Sequence, residues 1–165
     1  MAIRIGILTV SDRASRGVYE DIGGPAIRDC LTEILSCAWE PVARVIPDER
    51  QLIEETLIEM CDRENCCLVV TTGGTGLAPR DVTPEATAAV VEKEVPGLAE
   101  LMRHEGMKTT PRAALSRARA GVRKKTLILN LPGSVKGVRE ALGALSSILS
   151  HALEVVSGNT VRCGG

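Results

Sequence analysis

Two hydropathy patterns alternate along the chain. Short apolar runs rich in β-branched residues stand at 3–10, 42–46, 67–72 and 126–130. Such runs read as strands covered on both faces, which are apolar at nearly every position. Between them, apolar residues return every three to four positions, the period of a helix with one buried stripe. Residues 26–37 carry Ile27, Cys30, Leu31, Ile34 and Leu35 at that spacing. Helices are also predicted over 50–63, 84–93 and 97–105. A long last helix begins at 134 or 136 and ends at 156, with Val138, Ala141, Leu142, Leu145, Ile148, Leu149, Ala152 and Leu153 along one face. Residues 118–122 and 126–130, separated by Arg123-Lys124-Lys125, read as a hairpin that adds an antiparallel strand. Residues 106–117 read as a less regular polar connection. Ser157-Gly158-Asn159 reads as the stop of the last helix, followed by a loose tail from about 158. Strands alternating with helices predict an α/β fold, a mostly parallel mixed sheet between two helical layers.

Composition narrows this picture. A chain of 165 residues with a charged fraction of 25% fits one globular domain over 1–165. One Trp, one Tyr and no Phe make the core aliphatic. A net charge of -1 gives no general attraction to nucleic acid or acidic membranes. No apolar run approaches the ~20 residues of a membrane span. The first residues enter a strand without a signal-peptide pattern, so a cytoplasmic protein is expected. Six cysteines, at 30, 37, 61, 66, 67 and 163, form no Cys-x-x-Cys, and no His stands at metal-ligand spacing from them. They are expected to be reduced and structural, with Cys30 and Cys37 on one helix face. His104 and His151 fall inside predicted helices as surface or packing residues, which disfavours Ser-His-Asp or Cys-His catalysis.

The chemistry gathers at strand ends. The third strand runs into Thr72-Gly73-Gly74-Thr75-Gly76, followed by Arg80-Asp81-Val82-Thr83-Pro84-Glu85. Thr83 as cap, Pro84 at the first helical position and Glu85 in the first turn read as a helix start. Ligands of parallel α/β sheets bind at such carboxyl ends. Free backbone N–H groups and hydroxyls suit anionic oxygens, Arg80 fits phosphate, and Asp81 fits Mg²⁺. The loop is neither a Walker A motif, since no Lys lies between Thr71 and Glu92, nor a dinucleotide fingerprint, since Pro79 stands where its last Gly belongs. Ser11 and Asp12 follow the first strand, as turn residues or as ligand contacts with equal weight. Asp48 follows the second, as a helix cap or as a site acid. Pro132-Gly133-Ser134 follows the strand at 126–130. Four converging loops, two glycine-rich and two or three acidic, imply a ligand with several phosphates and a divalent cation.

These stretches resemble the molybdenum-cofactor biosynthesis family. The glycine loop with Arg80–Glu85 residues, Leu131-Pro132-Gly133-Ser134, the opening Gly6-Ile7-Leu8-Thr9-Val10-Ser11-Asp12-Arg13 and Val45-Ile46-Pro47-Asp48-Glu49 carry the likeness from about residue 3 to 158. Asn65-Cys66-Cys67 and Leu115-Ser116-Arg117 lean toward its adenylyltransferase branch over its MoaB-like branch. The resemblance implies a three-layer α/β/α fold, a homotrimer, and transfer of AMP from ATP to molybdopterin with Mg²⁺. It further implies contact with the enzyme that inserts molybdenum. Asp48 and Asp81 match the family's essential aspartates, and are expected to hold Mg²⁺. Gly73 to Gly76 match its pterin-phosphate loop, Ser116 and Arg117 its pterin region, and Pro132-Gly133-Ser134 a stretch on the nucleotide side. Few aromatics leave the pterin-ring contacts open. A terminal phosphate is already ionised, so attack on the α-phosphorus needs no general base. Positioning and charge neutralisation carry such a reaction, with Arg80, Arg117 and Lys136 as charge partners. The alternative is a non-catalytic molybdopterin carrier or MoaB-like scaffold.

Overall fold

The computed structural model describes residues 2–158 and 160–163. The first strand, β1 (Ile3–Val10), lies between β2 (Trp39–Ile46) and β3 (Leu68–Thr72), parallel to both. β3 pairs in parallel with β6 (Thr126–Leu131). β5 (Ala120–Arg123) is antiparallel to β6, and the two-residue β4 (Lys93–Glu94) is antiparallel to β5. The order is β2-β1-β3-β6-β5-β4, the expected mixed sheet.

Alternation along the strands divides the core in two. Ile5, Ile7, Leu68, Val70, Leu127, Leu129 and Leu131 face one helical layer, made of α2 (Gly23–Ile34), α5 (Pro96–Thr109), α6 (Val135–Leu145) and α7 (Leu149–Val156). Leu8, Val10, Val69 and Ile128 face the other, made of α3 (Arg50–Asp62) and α4 (Thr83–Val90). Each fully buried aliphatic side chain contributes roughly 1.5–3 kcal/mol, so the two-sided strands are what require two helical layers. Register sets the working edge. Thr9 lies opposite Val45 and Thr72, and Thr72 lies opposite Leu131. The loops after β1, β2, β3 and β6 therefore leave from one row.

Several boundaries differ from expectation. α2 starts at Gly23 because the Asp21 carboxylate accepts the Gly24 N–H at 3.1 Å, and it stops at Ile34. Cys37 thus leaves the helix. It forms a disulfide with Cys163, 126 residues away, which overturns the expectation of six reduced cysteines. Cys30, Cys61, Cys66 and Cys67 are free and buried. The tail is not loose over 160–163: Val161 and Cys163 are buried, and the Cys163 carbonyl accepts hydrogen bonds from Ser36 and Ser150. Asn159, read as part of the helix stop, lies outside the described residues. The long last helix is two helices. At Ser146 the hydroxyl donates to the Gly143 carbonyl at 2.8 Å, and serines that compete for backbone carbonyls favour a turn. The polar connection contains a 3-10 turn at Pro111–Leu115, and α1 (Asp12–Ser15) is a single helical turn. Among the described residues no helix is long and apolar enough to cross a membrane.

Candidate active site

The glycine loop divides two hollows at the carboxyl edge. The larger, of about 460 Å³, has an apolar wall of Ala99, Met102, Ala113 and Leu115. Its polar lining includes Thr75, Ser116, Asn130 and Ser134, and its cations are Arg103, Arg112 and Lys136. The smaller, of about 160 Å³, is lined by Ser11, Tyr19, Asp21, Asp48 and Thr72. Gly74, Asp81 and Gly133 line both. Gly73 lines the smaller one, and Gly76 and Pro132 the larger.

Local hydrogen bonds shape the loop. Gly73 (φ +98°) and Gly74 (φ +67°) take the left-handed backbone that glycine adopts without strain. The Gly73 N–H donates to the Leu131 carbonyl at 3.3 Å, and the Thr72 hydroxyl donates to the Pro132 carbonyl at 2.7 Å. These bonds tie the two small-residue loops together. Thr83 does not cap α4 with its side chain. Its hydroxyl donates to the Gly73 carbonyl at 3.0 Å and its N–H to the Gly74 carbonyl at 3.1 Å, so it pins the loop. Behind the loop, the fully buried Asn130 amide donates to Thr71 and Thr87 and accepts the Arg119 N–H.

The acids are held in defined ways. Asp48 makes no side-chain cap on α3. Its Oδ2 accepts the Asp12 N–H at 2.8 Å, while Asp12 Oδ1 accepts the Asp48 N–H at 3.0 Å. Burial pushes the Asp48 carboxyl up, and the charges of Asp12 and Asp81 push it the same way. Asp81 Oδ2 accepts the Ala78 N–H at 3.0 Å. A Cβ on Gly74 would stand 3.2 Å from Asp48 Oδ1, and one on Gly76 would stand 2.8 Å from Asp81 Oδ2. Both carboxylates therefore lie against the glycine loop. Ser11 takes the turn role, capping α1 through the Ala14 N–H at 3.1 Å, and it also lines the smaller hollow.

The predicted cations behave differently. Arg80 Nε and Nη2 fork onto the Asp12 carboxylate at 2.9 and 2.8 Å, and this pair holds Asp12 below the usual carboxylate range. Asp12, Arg80 and Arg117 line neither hollow. Arg117 grips the Gly76 and Asp81 carbonyls and the Glu85 carboxylate. Lys136 does line the larger hollow, with Glu140 at 3.9 Å. Asp21 and Tyr19 were missed from sequence. Asp21 accepts the Thr9 hydroxyl at 3.1 Å, and the Tyr19 hydroxyl meets Ser11 Oγ at 3.1 Å. Their signal was nearness to the first strand end, where the single Tyr of the chain stands.

The donor set fits Mg²⁺. Asp48 and Asp81 border one hollow, and Asp48 is pushed up by burial and, to a lesser degree, by the Asp12 and Asp81 charges, which a cation would offset. Among the described residues no three His, Cys, Asp or Glu converge as a complete cage. Mg²⁺ is commonly held by one or two carboxylates, completed by substrate phosphates and water.

A mainly parallel sheet with two glycine loops and two carboxylates at its carboxyl edge defines an α/β domain with a hollow where such sheets bind ligands. Residues 6–151 match the family described as a probable molybdopterin binding domain, and the chain belongs to that family. It is 51% identical over 160 residues to the molybdopterin adenylyltransferase of Helicobacter pylori, covering 97% of this chain and 91% of that protein. It is 51% identical over 140 residues to the molybdopterin adenylyltransferase of Escherichia coli, covering 85% and 72%. The crystal structure of the molybdopterin biosynthesis enzyme MoaB of Thermus thermophilus superposes with a TM-score of 0.87 at 54% identity, covering 94% of this chain and 97% of that one.

Proposed function

We propose that this protein is a molybdopterin adenylyltransferase that moves AMP from ATP to the terminal phosphate of molybdopterin and releases pyrophosphate. The observation that carries the reading is the meeting of Asp48 and Asp81 at one glycine loop shared by two hollows. Two hollows suit two substrates, and the shared loop suits the phosphates that must meet. Two acids repel phosphate unless a cation lies between them, so they favour a Mg²⁺-dependent transfer over passive anion binding. Mg²⁺, when bound by Asp48 and Asp81, supplies charge neutralisation for the phosphates. The chain itself supplies backbone N–H groups at 74–76 and the Ser134 loop. Asp12 and Arg80 brace the Asp48 turn, and Lys136 is one of three cations lining the larger hollow, with Arg103 and Arg112. We further propose a cytoplasmic location and a contact with the enzyme that inserts molybdenum, which would take up the product.

The deciding experiment mixes protein, molybdopterin and Mg-ATP and measures pyrophosphate. Molybdopterin-dependent release is expected. Tight molybdopterin binding without release would instead make the protein a carrier. We also propose a homotrimer. Light scattering at low micromolar concentration should give three times the chain mass, and a stable monomer would reject it.

A further inference from the structure

The segment between Gly76 and Asp81 has little apolar packing to hold it. Residues 77–80 are exposed, and Leu77 is 65% exposed. Its order comes from polar contacts, and Arg117 supplies those at both ends. Arg117 Nε donates to the Gly76 carbonyl at 2.8 Å, and Nη2 donates to the Asp81 carbonyl at 2.7 Å. The third arm, Nη1, donates to the Glu85 carboxylate in the first turn of α4. Burial pushes Glu85 up, and the Arg117 guanidinium more than offsets it, leaving the carboxyl below its usual range. The positive charge of Arg117 is thus spent on Glu85, and its fork on two carbonyls.

The other half of the loop is held without this side chain. Gly73 and Gly74 are tied to Leu131 and Thr83, and Thr75 accepts the backbone N–H of Arg117 at 2.9 Å. That last bond survives any substitution at 117 except proline.

We propose that Arg117 is a positioning residue: it touches no substrate and acts by fixing the segment that presents the Asp81 carboxylate. This inference rests on the adenylyltransferase reading for its kinetic consequence. Arg117 clamps the Asp81 end and leaves the 73–75 end independent. Its loss therefore separates turnover from binding.

The test compares the unmodified protein with Arg117→Lys, which keeps charge but loses the fork, and with Arg117→Ala. In both variants kcat for pyrophosphate release should fall about 100-fold, the scale of a misplacement near 1 Å. The KM for molybdopterin should stay near that of the unmodified protein. Low, non-denaturing guanidinium should restore part of kcat to Arg117→Ala. Independently of activity, amide exchange should accelerate at residues 76–81 but not at 73–75. Unchanged exchange at 76–81, or kcat equal to the unmodified protein, would overturn the proposal. Acceleration spread over all strands and helices would also overturn it, since that marks a general fold residue. If the unmodified protein releases no pyrophosphate, the adenylyltransferase reading fails, and the exchange pattern alone decides the role of Arg117.

Discussion

Asp81 is one residue under two demands. Its Oδ2 closes a turn on the Ala78 N–H, and its charge faces Asp48 across the smaller hollow. Asp81→Asn retains a carbonyl oxygen for the turn and removes the charge. Thermal stability and molybdopterin affinity should therefore persist, while Mg²⁺-dependent turnover falls roughly 10²–10³-fold, the effect of removing one fixed electrostatic partner. Pyrophosphate release near the unmodified rate would reduce Asp81 to a turn residue. The pH profile gives a second readout. Asp48 is pushed up first by burial and then by its like-charged neighbours Asp12 and Asp81. An acid with a raised pKa regains its proton at a higher pH than usual, so activity is lost early as pH falls. Without the Asp81 charge, Asp48 should stay ionised to lower pH, and the acidic limb should move down. An unmoved limb would mean that Asp48 does not control it.

At the scale of the element, the β3–α4 loop depends on two glycines. A Cβ on Gly73 would meet the Val10 carbonyl at 2.2 Å, and one on Gly74 would meet the Thr83 hydroxyl at 2.3 Å. The first contact is backbone and cannot swing aside. The second is the hydroxyl that pins the loop. Gly74→Val should displace Thr83 and crowd Asp48 Oδ1, adding a strained backbone that costs roughly 1–3 kcal/mol. Strands and helices packed elsewhere should be kept, so the variant is expected to fold and to lose molybdopterin affinity by titration. Unchanged affinity in the folded variant would show the loop to be a turn and nothing more.

For the whole molecule, the Cys37–Cys163 bridge is the long-range tie. It joins the segment just before β2 to the chain after α7, at the amino end of the sheet and away from the glycine loop. Closing so long a loop restricts the unfolded chain, and removing a bridge of this kind typically costs about 2–5 kcal/mol. Cys37→Ser should melt at a lower temperature than the unmodified oxidised protein, with kcat unaltered. Equal melting would reject a stabilising bridge. Alkylation gives a chemical check. Four cysteines should label in denaturant alone, and all six only after reduction. In the folded protein, burial pushes Cys61 and Cys67 up to about 11 and Cys66 to about 12, so these thiols should resist alkylation at neutral pH.

The hydropathy pattern by itself determined the strands covered on both faces, the amphipathic helices, and hence the layered α/β class. That information is local, carried by periods of two and of three to four residues within one element. The same locality placed Gly73–Asp81 residues, Asp48 and Pro132-Gly133-Ser134 at strand ends, where a parallel sheet must bring them to one edge. Only the tertiary structure decided what each charge does there. Arg80 turns to Asp12, 68 residues away, and Arg117 turns to Glu85, 32 residues away. Thr83 and Asp48, plausible helix caps by position, are drawn off by the Gly73 carbonyl and the Asp12 N–H. Cys37 could be matched with Cys163 only after Ile34 ended the helix and the last segment folded back against Ser36 and Ser150. Pairings across such separations depend on the crossovers that stack the strands, and no period along the chain records them.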